Sequence, residues 1–268
     1  MRHKLIRLRQ QLGERPDARR RLILAAAGFG LLVIAIGLAW PRPAALPDFA
    51  AIESVAERKQ AFFTFLAPIV REANQDIRAE RSRLRAIAES AAEGSAPGWF
   101  DRRWLKNTSE KYEVPWDADA PLAEIDRLLR RVDTVPLKLA LVQAATESGW
   151  GRSRFALEAN NLFGHWCYEK GCGVVPANRP PGARHEVAAF ASVRQSVRRY
   201  LWNLNTHSAY EAVRAIRARL RASEQPVTAM ALAEGLIRYS ERREDYVEEI
   251  KTVIRINDAL LDQAGAAL

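Results

Sequence analysis

The sequence predicts a mainly α-helical domain with one small β- and loop-rich insert, preceded by an N-terminal transmembrane helix and a helical stalk. Three observations predict it. Apolar residues recur at three- and four-residue spacing over most of the stretch from Ile52 to Leu261. That period fails once, between Cys167 and Phe190, where Gly, Pro and Arg accumulate. Leu22 to Trp40 is a run of nineteen residues without a charge.

Residues 1–21 carry eight Lys/Arg against two acids, so the chain's formal net charge of +9 is mostly an N-terminal property. Downstream of Pro43 basic and acidic residues nearly balance, and no zinc pattern or nucleic-acid motif accompanies them, which argues against a nucleic-acid partner. As a helix, residues 22–40 span about 28 Å, close to a hydrocarbon core of ~30 Å. Positive charge upstream and little downstream puts the N-terminus in the cytoplasm and the remainder across the membrane. A cleaved signal peptide is the competing reading. The run is longer than an ordinary signal core and Pro41-Arg42-Pro43 offers no small-x-small cleavage site, so an uncleaved anchor is expected.

Pro41 to Pro47 is an extended spacer. From Ile52 to Glu93, Phe62, Phe65, Leu66, Ile69, Val70, Ala73 and Ile77 mark one helical face, read as a stalk or bracing helix with a bend at Pro68. Gly94 to Gly98 breaks it. Trp99 to Tyr112 is a short helix with aromatics on one side, Val114-Pro115-Trp116 a turn, and Leu122 to Val132 an amphipathic helix. Thr134 to Ser148 begins with proline in its first turn and ends at Gly149, with Leu137, Ala140, Leu141, Ala144 and Ser148 on one stripe and Glu147 at its edge. In the insert, Val174-Val175-Pro176 and His185 to Phe190 are short strands. Helices resume over Ser192–Asn205, Ala209–Ala222, Thr228–Tyr239 and Tyr246–Leu261.

A carboxyl at the end of an apolar helix, beside Trp150, loses hydration when it ionises. Burial of this kind raises the pKa and suits Glu147 to donate a proton near neutral pH. The two cysteines, Cys167 and Cys172, flank a four-residue loop, which in an oxidising compartment favours a disulfide. A zinc site is the alternative, but His165 and His185 complete no evident ligand pattern, so no metal is expected.

Ala144-Ala145-Thr146-Glu147-Ser148-Gly149-Trp150-Gly151, Asn160-Asn161-Leu162-Phe163-Gly164, Cys167 with Cys172, and Tyr239-Ser240 with Tyr246 occur in one order. Together they resemble the glucosaminidase-domain proteins of glycoside hydrolase family 73, in their Bax-like branch, over roughly Val135 to Ala259. The resemblance implies a lysozyme-like, two-lobed domain that cleaves peptidoglycan glycan at N-acetylglucosamine without a cofactor. One interruption in a helical chain independently fits that architecture. It places Glu147 on the family's catalytic acid and Tyr239 on an active-site tyrosine. The expected organisation is a basic cytoplasmic segment over 1–21, an inner-membrane anchor over 22–40, linker and stalk over 41–98, and a periplasmic catalytic domain over 99–268.

Glycoside hydrolysis also needs positive charge at the anomeric carbon to be stabilised. Glu186, on a predicted strand, is the better candidate and Glu169, beside the cysteines, the weaker; the substrate's own acetamido group is the alternative. Trp166, Phe163, Asn161 and Tyr246 are the candidates for substrate contact, with Trp166 the leading stacking platform; Phe163 and Tyr246 are read mainly as packing, and Asn161 as turning the chain into Leu162-Phe163-Gly164. The expected partners are glycan strands and, through the anchor, the inner membrane. A lytic transglycosylase and an inactive glycan-binding scaffold are the rival functions.

Overall fold

The computed structural model describes residues 45–117 and 119–266. The basic segment and the expected membrane anchor lie outside them. Among the described residues no helix is long and apolar enough to cross a membrane.

The longest element is α1, Val55–Ala92. Ser54 caps it by accepting from the Glu57 N–H at 3.3 Å, with Glu57 in its first turn. Pro68 is accommodated inside it because its face is exposed, as is that of Thr64, whose carbonyl loses its partner there. The opposite face buries Phe62, Phe63, Leu66, Val70, Ala73, Ile77 and Leu84. This corrects the expectation of a stalk: α1 is a wall of the domain's own core.

Two helices follow, α2 at Trp99–Lys111 and α3 at Pro121–Arg131. The aromatics of α2 do not share one buried side, since Trp99 and Phe100 are both exposed. Next come α4 at Leu137–Ser148 and the short α5 at Arg154–Ala159. Leu139 to Ala145 are buried without interruption, so α4 is enclosed on all sides rather than along one stripe. It packs against α1 and against helices from the C-terminal third.

The insert is a three-stranded antiparallel sheet: β1 Trp166–Cys167, β2 Gly173–Val174 and β3 Glu186–Ala188, in the order β1-β3-β2. Trp166 and Val174 both lie opposite Val187, and Cys167 lies opposite Glu186. The remaining helices are α6 Val193–Thr206, α7 Glu211–Ala222, α8 Ala229–Ala233, α9 Glu244–Ile256 and α10 Asp258–Ala266. The helix expected over Thr228–Tyr239 is instead α8 followed by a 3-10 turn, Glu234–Arg238. The one expected over Tyr246–Leu261 starts earlier and is interrupted at Asn257. That residue is buried because its side chain accepts from Lys59 Nζ at 3.1 Å and donates to the Val253 carbonyl at 2.8 Å.

A buried ionic knot joins α1, α3, α6, α7 and the loop that leads into α4. The Arg217 guanidinium donates to the carbonyls of Arg130, Arg131, Asp133 and Thr134 and to Asn205 Oδ1. Asp133 takes two bonds from Arg221 and lies near Arg81. Burial by itself would raise the Asp133 pKa; Arg217, Arg221 and Arg81 overcome that and hold it below the ordinary value. The knot satisfies carbonyls at the C-terminal end of α3, where the entry to α4 is set.

Candidate active site

Two backbone features hold the end of α4. Gly149 adopts φ 57°, the left-handed cap that glycine accepts most readily, and the Trp150 N–H returns to the Ala145 carbonyl at 2.8 Å. Ser148 donates to the Ala144 carbonyl at 2.6 Å and accepts from the Gly151 N–H at 2.8 Å. The Trp150 ring rests against Phe62 and Phe63, with Lys59 over it. The last turn of α4 is therefore rigid, and Glu147 projects from it, half-buried.

Glu147 faces aromatic hydroxyls. Tyr246 Oη donates to its Oε1 at 2.8 Å, and Tyr246 in turn receives a bond from Gln143 Nε2 at 3.0 Å. The rings of Tyr239 and Tyr246 are stacked, 5.3 Å apart and 5° from parallel. Tyr239 Oη donates to the Phe163 carbonyl at 3.2 Å, which ties the segment after α5 to this cluster. Gly164 passes close to the other carboxylate oxygen: a Cβ there would lie 3.7 Å from Oε2.

Burial raises the Glu147 pKa above the ordinary carboxylate value. The Tyr246 bond and the charge of Arg242 pull it down, and Glu249, ion-paired with Arg242, pushes it up again. Burial also lifts the tyrosines, Tyr210 to about 12 and Tyr239 well above its ordinary value, so these phenols keep their protons. A carboxyl so placed keeps its proton to higher pH than an exposed one and can deliver it to an oxygen.

The insert places the other expected residues differently. Cys167 and Cys172 form a disulfide. Glu186 Oε1 accepts from the Gly171 N–H at 3.1 Å and Oε2 from the Gly173 N–H at 2.9 Å. Those bonds lower its pKa and occupy both oxygens inside the insert. The structure thus places Glu186, expected as a second catalytic carboxylate, where it braces the loop between the cysteines. The two sulfurs and a Glu186 oxygen lie within 4.8 Å of one another, but the sulfurs are bonded to each other and do not offer thiolates. Glu169 is exposed on the loop between the cysteines.

Of the expected substrate contacts, only Trp166 presents a surface. It is 56% exposed and stacks on His185 at 4.4 Å. Phe163 is buried and stacked on Tyr200 at 4.0 Å, so its ring cannot meet a sugar. Asn161 is buried too: Nδ2 donates to the carbonyls of His165 and Ala188, while Oδ1 accepts from the Phe163 and His165 N–H groups. It pins the chain entering β1 to the end of β3. Tyr246, also buried, touches the acid instead of the solvent.

A groove of about 940 Å³ begins at His165 and Trp166 and runs between α1, α6 and the insert, with Phe190, Arg199 and Trp202 on its walls. Glu147 does not line it. The groove adjoins the site through Gly164 and His165, consecutive in the chain. Burial lowers the His165 pKa to about 4, so that imidazole is neutral.

Sequence reasoning passed over Gln143 and Tyr200. The signal for Gln143 was present: it is the polar residue in the apolar run Leu139–Ala145, and it precedes Glu147 by four residues, on the same helical face. Tyr200 carried no local signal.

The glucosaminidase family profile, described as mannosyl-glycoprotein endo-beta-N-acetylglucosaminidase, matches residues 123–259. Among curated proteins, Protein bax of Escherichia coli (strain K12) is 34% identical over 220 residues, which cover 82% of this chain and 77% of that one. No solved structure matches.

Proposed function

Because the chain belongs to the glucosaminidase family, in the company of Protein bax, we propose that it is a peptidoglycan hydrolase cleaving β-1,4 glycosidic bonds at N-acetylglucosamine, with Glu147 as general acid. The observation that carries this is the half-buried Glu147 carboxyl, its pKa raised by burial and one oxygen bonded to Tyr246. Protonated Glu147 gives its proton to the glycosidic oxygen as the bond to the anomeric carbon breaks. With Glu186 committed to backbone amides, stabilisation of the anomeric carbon falls to the substrate's own acetamido group. Water then completes hydrolysis and returns a proton to Glu147.

The helical body and the insert act as the two walls of a lysozyme-like cleft in this reading, with Trp166 as a stacking surface for a sugar ring. The uncharged run 22–40 behind a basic N-terminus supports a single inner-membrane anchor with the domain in the periplasm.

A site with one dominant carboxylate also suits a lytic transglycosylase, in which an internal hydroxyl replaces water and leaves an anhydro sugar. Mass spectrometry of glycan digested by the full chain separates the two. Reducing-end N-acetylglucosamine is the expected product; an anhydro terminus would assign the transglycosylase instead. Glycan binding without cleavage, equal in wild type and Glu147→Gln, would leave only the scaffold.

A further inference from the structure

Gln143 is fully buried on α4, and both ends of its amide are engaged. Its Oε1 accepts from Tyr200 Oη at 2.6 Å, and its Nε2 donates to Tyr246 Oη at 3.0 Å. Tyr246 then donates to Glu147 Oε1 at 2.8 Å. These bonds form one directed chain, Tyr200 to Gln143 to Tyr246 to Glu147.

The direction matters because each phenol has one hydrogen to give, and the two ends of an amide are chemically different. With the amide reversed, Tyr246 would give its hydrogen to Gln143, and Glu147 could keep the contact only by carrying its own proton on Oε1. The Tyr200 hydroxyl is fully buried and has no second acceptor among the described residues, so reversal would strand its hydrogen in the interior. Tyr200 therefore fixes the amide, and the amide fixes Tyr246.

We propose that Gln143 is a positioning residue that keeps Tyr246 a donor to Oε1 of Glu147, so that the exchangeable proton of Glu147 resides on Oε2. Oε2 is the oxygen facing Gly164, where an added Cβ would come into van der Waals contact at 3.7 Å. The catalytic meaning of this placement rests on Glu147 being the general acid; the hydrogen-bond chain itself does not. Its other neighbours do not duplicate the effect: Arg242 and Glu249 act on Glu147 through charge, and Tyr239 directs its hydrogen to the Phe163 carbonyl.

The test is a double-mutant cycle read by ¹³C NMR titration of the glutamate carboxyls in the full chain, with Glu147 assigned by its loss in Glu147→Gln. Tyr246→Phe removes the donor to the ionised form and raises the Glu147 midpoint. Gln143→Met frees the phenol and weakens it as a donor, raising the midpoint in the same direction by less. The double variant matches Tyr246→Phe alone, because Gln143 acts only through Tyr246. An unmoved midpoint in Gln143→Met, or a shift that adds fully to that of Tyr246→Phe, would overturn the proposal. If Gln143→Met fails to fold through the stranded Tyr200 hydroxyl, Gln143→Met with Tyr200→Phe removes both partners and restores the comparison. Peptidoglycan clearance is followed in parallel: no clearance by wild type with the titration pattern intact rejects the hydrolase, not the chain of bonds.

Discussion

The ring of Trp150 lies 5.2 Å from that of Phe63, so the aromatic next to the Glu147 helix end is seated on the long N-terminal helix. Phe62 approaches the same ring at 6.0 Å, and Lys59 covers it. The helix α1 thus supports the last turn of α4 directly. Trp150→Ala should lower stability by about 3 kcal/mol, the cost of a large cavity at a packed aromatic. Urea denaturation of the full chain measures it. A change within about 0.5 kcal/mol, the usual range for a surface site, would mean that the contact carries no load.

Glu147→Gln should abolish glycan cleavage and alter stability in a pH-dependent way. The folded-state pKa of Glu147 is raised, so below the unfolded value both states are protonated and nothing is gained or lost. As pH rises from the unfolded to the folded value, the native state binds more protons and wild-type stability falls. The glutamine variant escapes that loss. It should match wild type in acid and exceed it above the folded pKa, as thermal melts across pH would record; the opposite order would show that Glu147 is stabilised as the anion.

Glu186→Gln should loosen the insert while sparing the chemistry, because the side chain holds the Gly171 and Gly173 amides. Limited proteolysis should cut faster between Cys167 and Phe190, and reduction of the Cys167–Cys172 bond should have the same effect. The lowered pKa of Glu186 means that its contribution is present above the unfolded value and lost as pH falls. Loss of cleavage equal to that of Glu147→Gln, with the insert still resistant, would return Glu186 to the catalytic role.

Asp133→Asn should destabilise the fold by about 3 kcal/mol, since it leaves the buried Arg217 without its counter-charge. Asp133 is held below its ordinary pKa, so its stabilisation is lost as pH falls and the gap between variant and wild type should narrow in acid. A gap that stayed constant across that range would show that the charge is not what the knot uses.

Trp166→Ala should weaken binding to insoluble glycan with little effect on the melting temperature, because the ring is 56% exposed. Co-sedimentation with peptidoglycan compares the two proteins. Equal binding would remove Trp166 from the substrate surface.

Much of the site was legible locally. Proline before Leu137, glycine after Ser148 and an apolar run between them define α4, and the aromatic after the glycine marks its support. The backbone bonds of Glu186 were not legible, because position on a strand tells which face a side chain takes, not which backbone amides will turn toward it. Phe163 and Asn161 are buried, in keeping with the packing and turn roles weighed for them beside substrate contact. A motif beside an acid can serve by contact with substrate or by holding the chain, and only burial separates the two.

Periodicity and short-range chemistry, by themselves, determined a helical chain with one irregular insert, a glutamate at a protected helix end and two cysteines within bonding reach. The tertiary structure alone decided that the helix from Val55 to Ala92 is core and not stalk, that Glu186 accepts from the Gly171 and Gly173 amides, and that Gln143 links Tyr200 to Tyr246. These depend on pairs separated by tens of residues. Hydrogen bonding and burial are set by which surfaces meet, and a hydroxyl 57 positions from its acceptor leaves no trace in the local pattern.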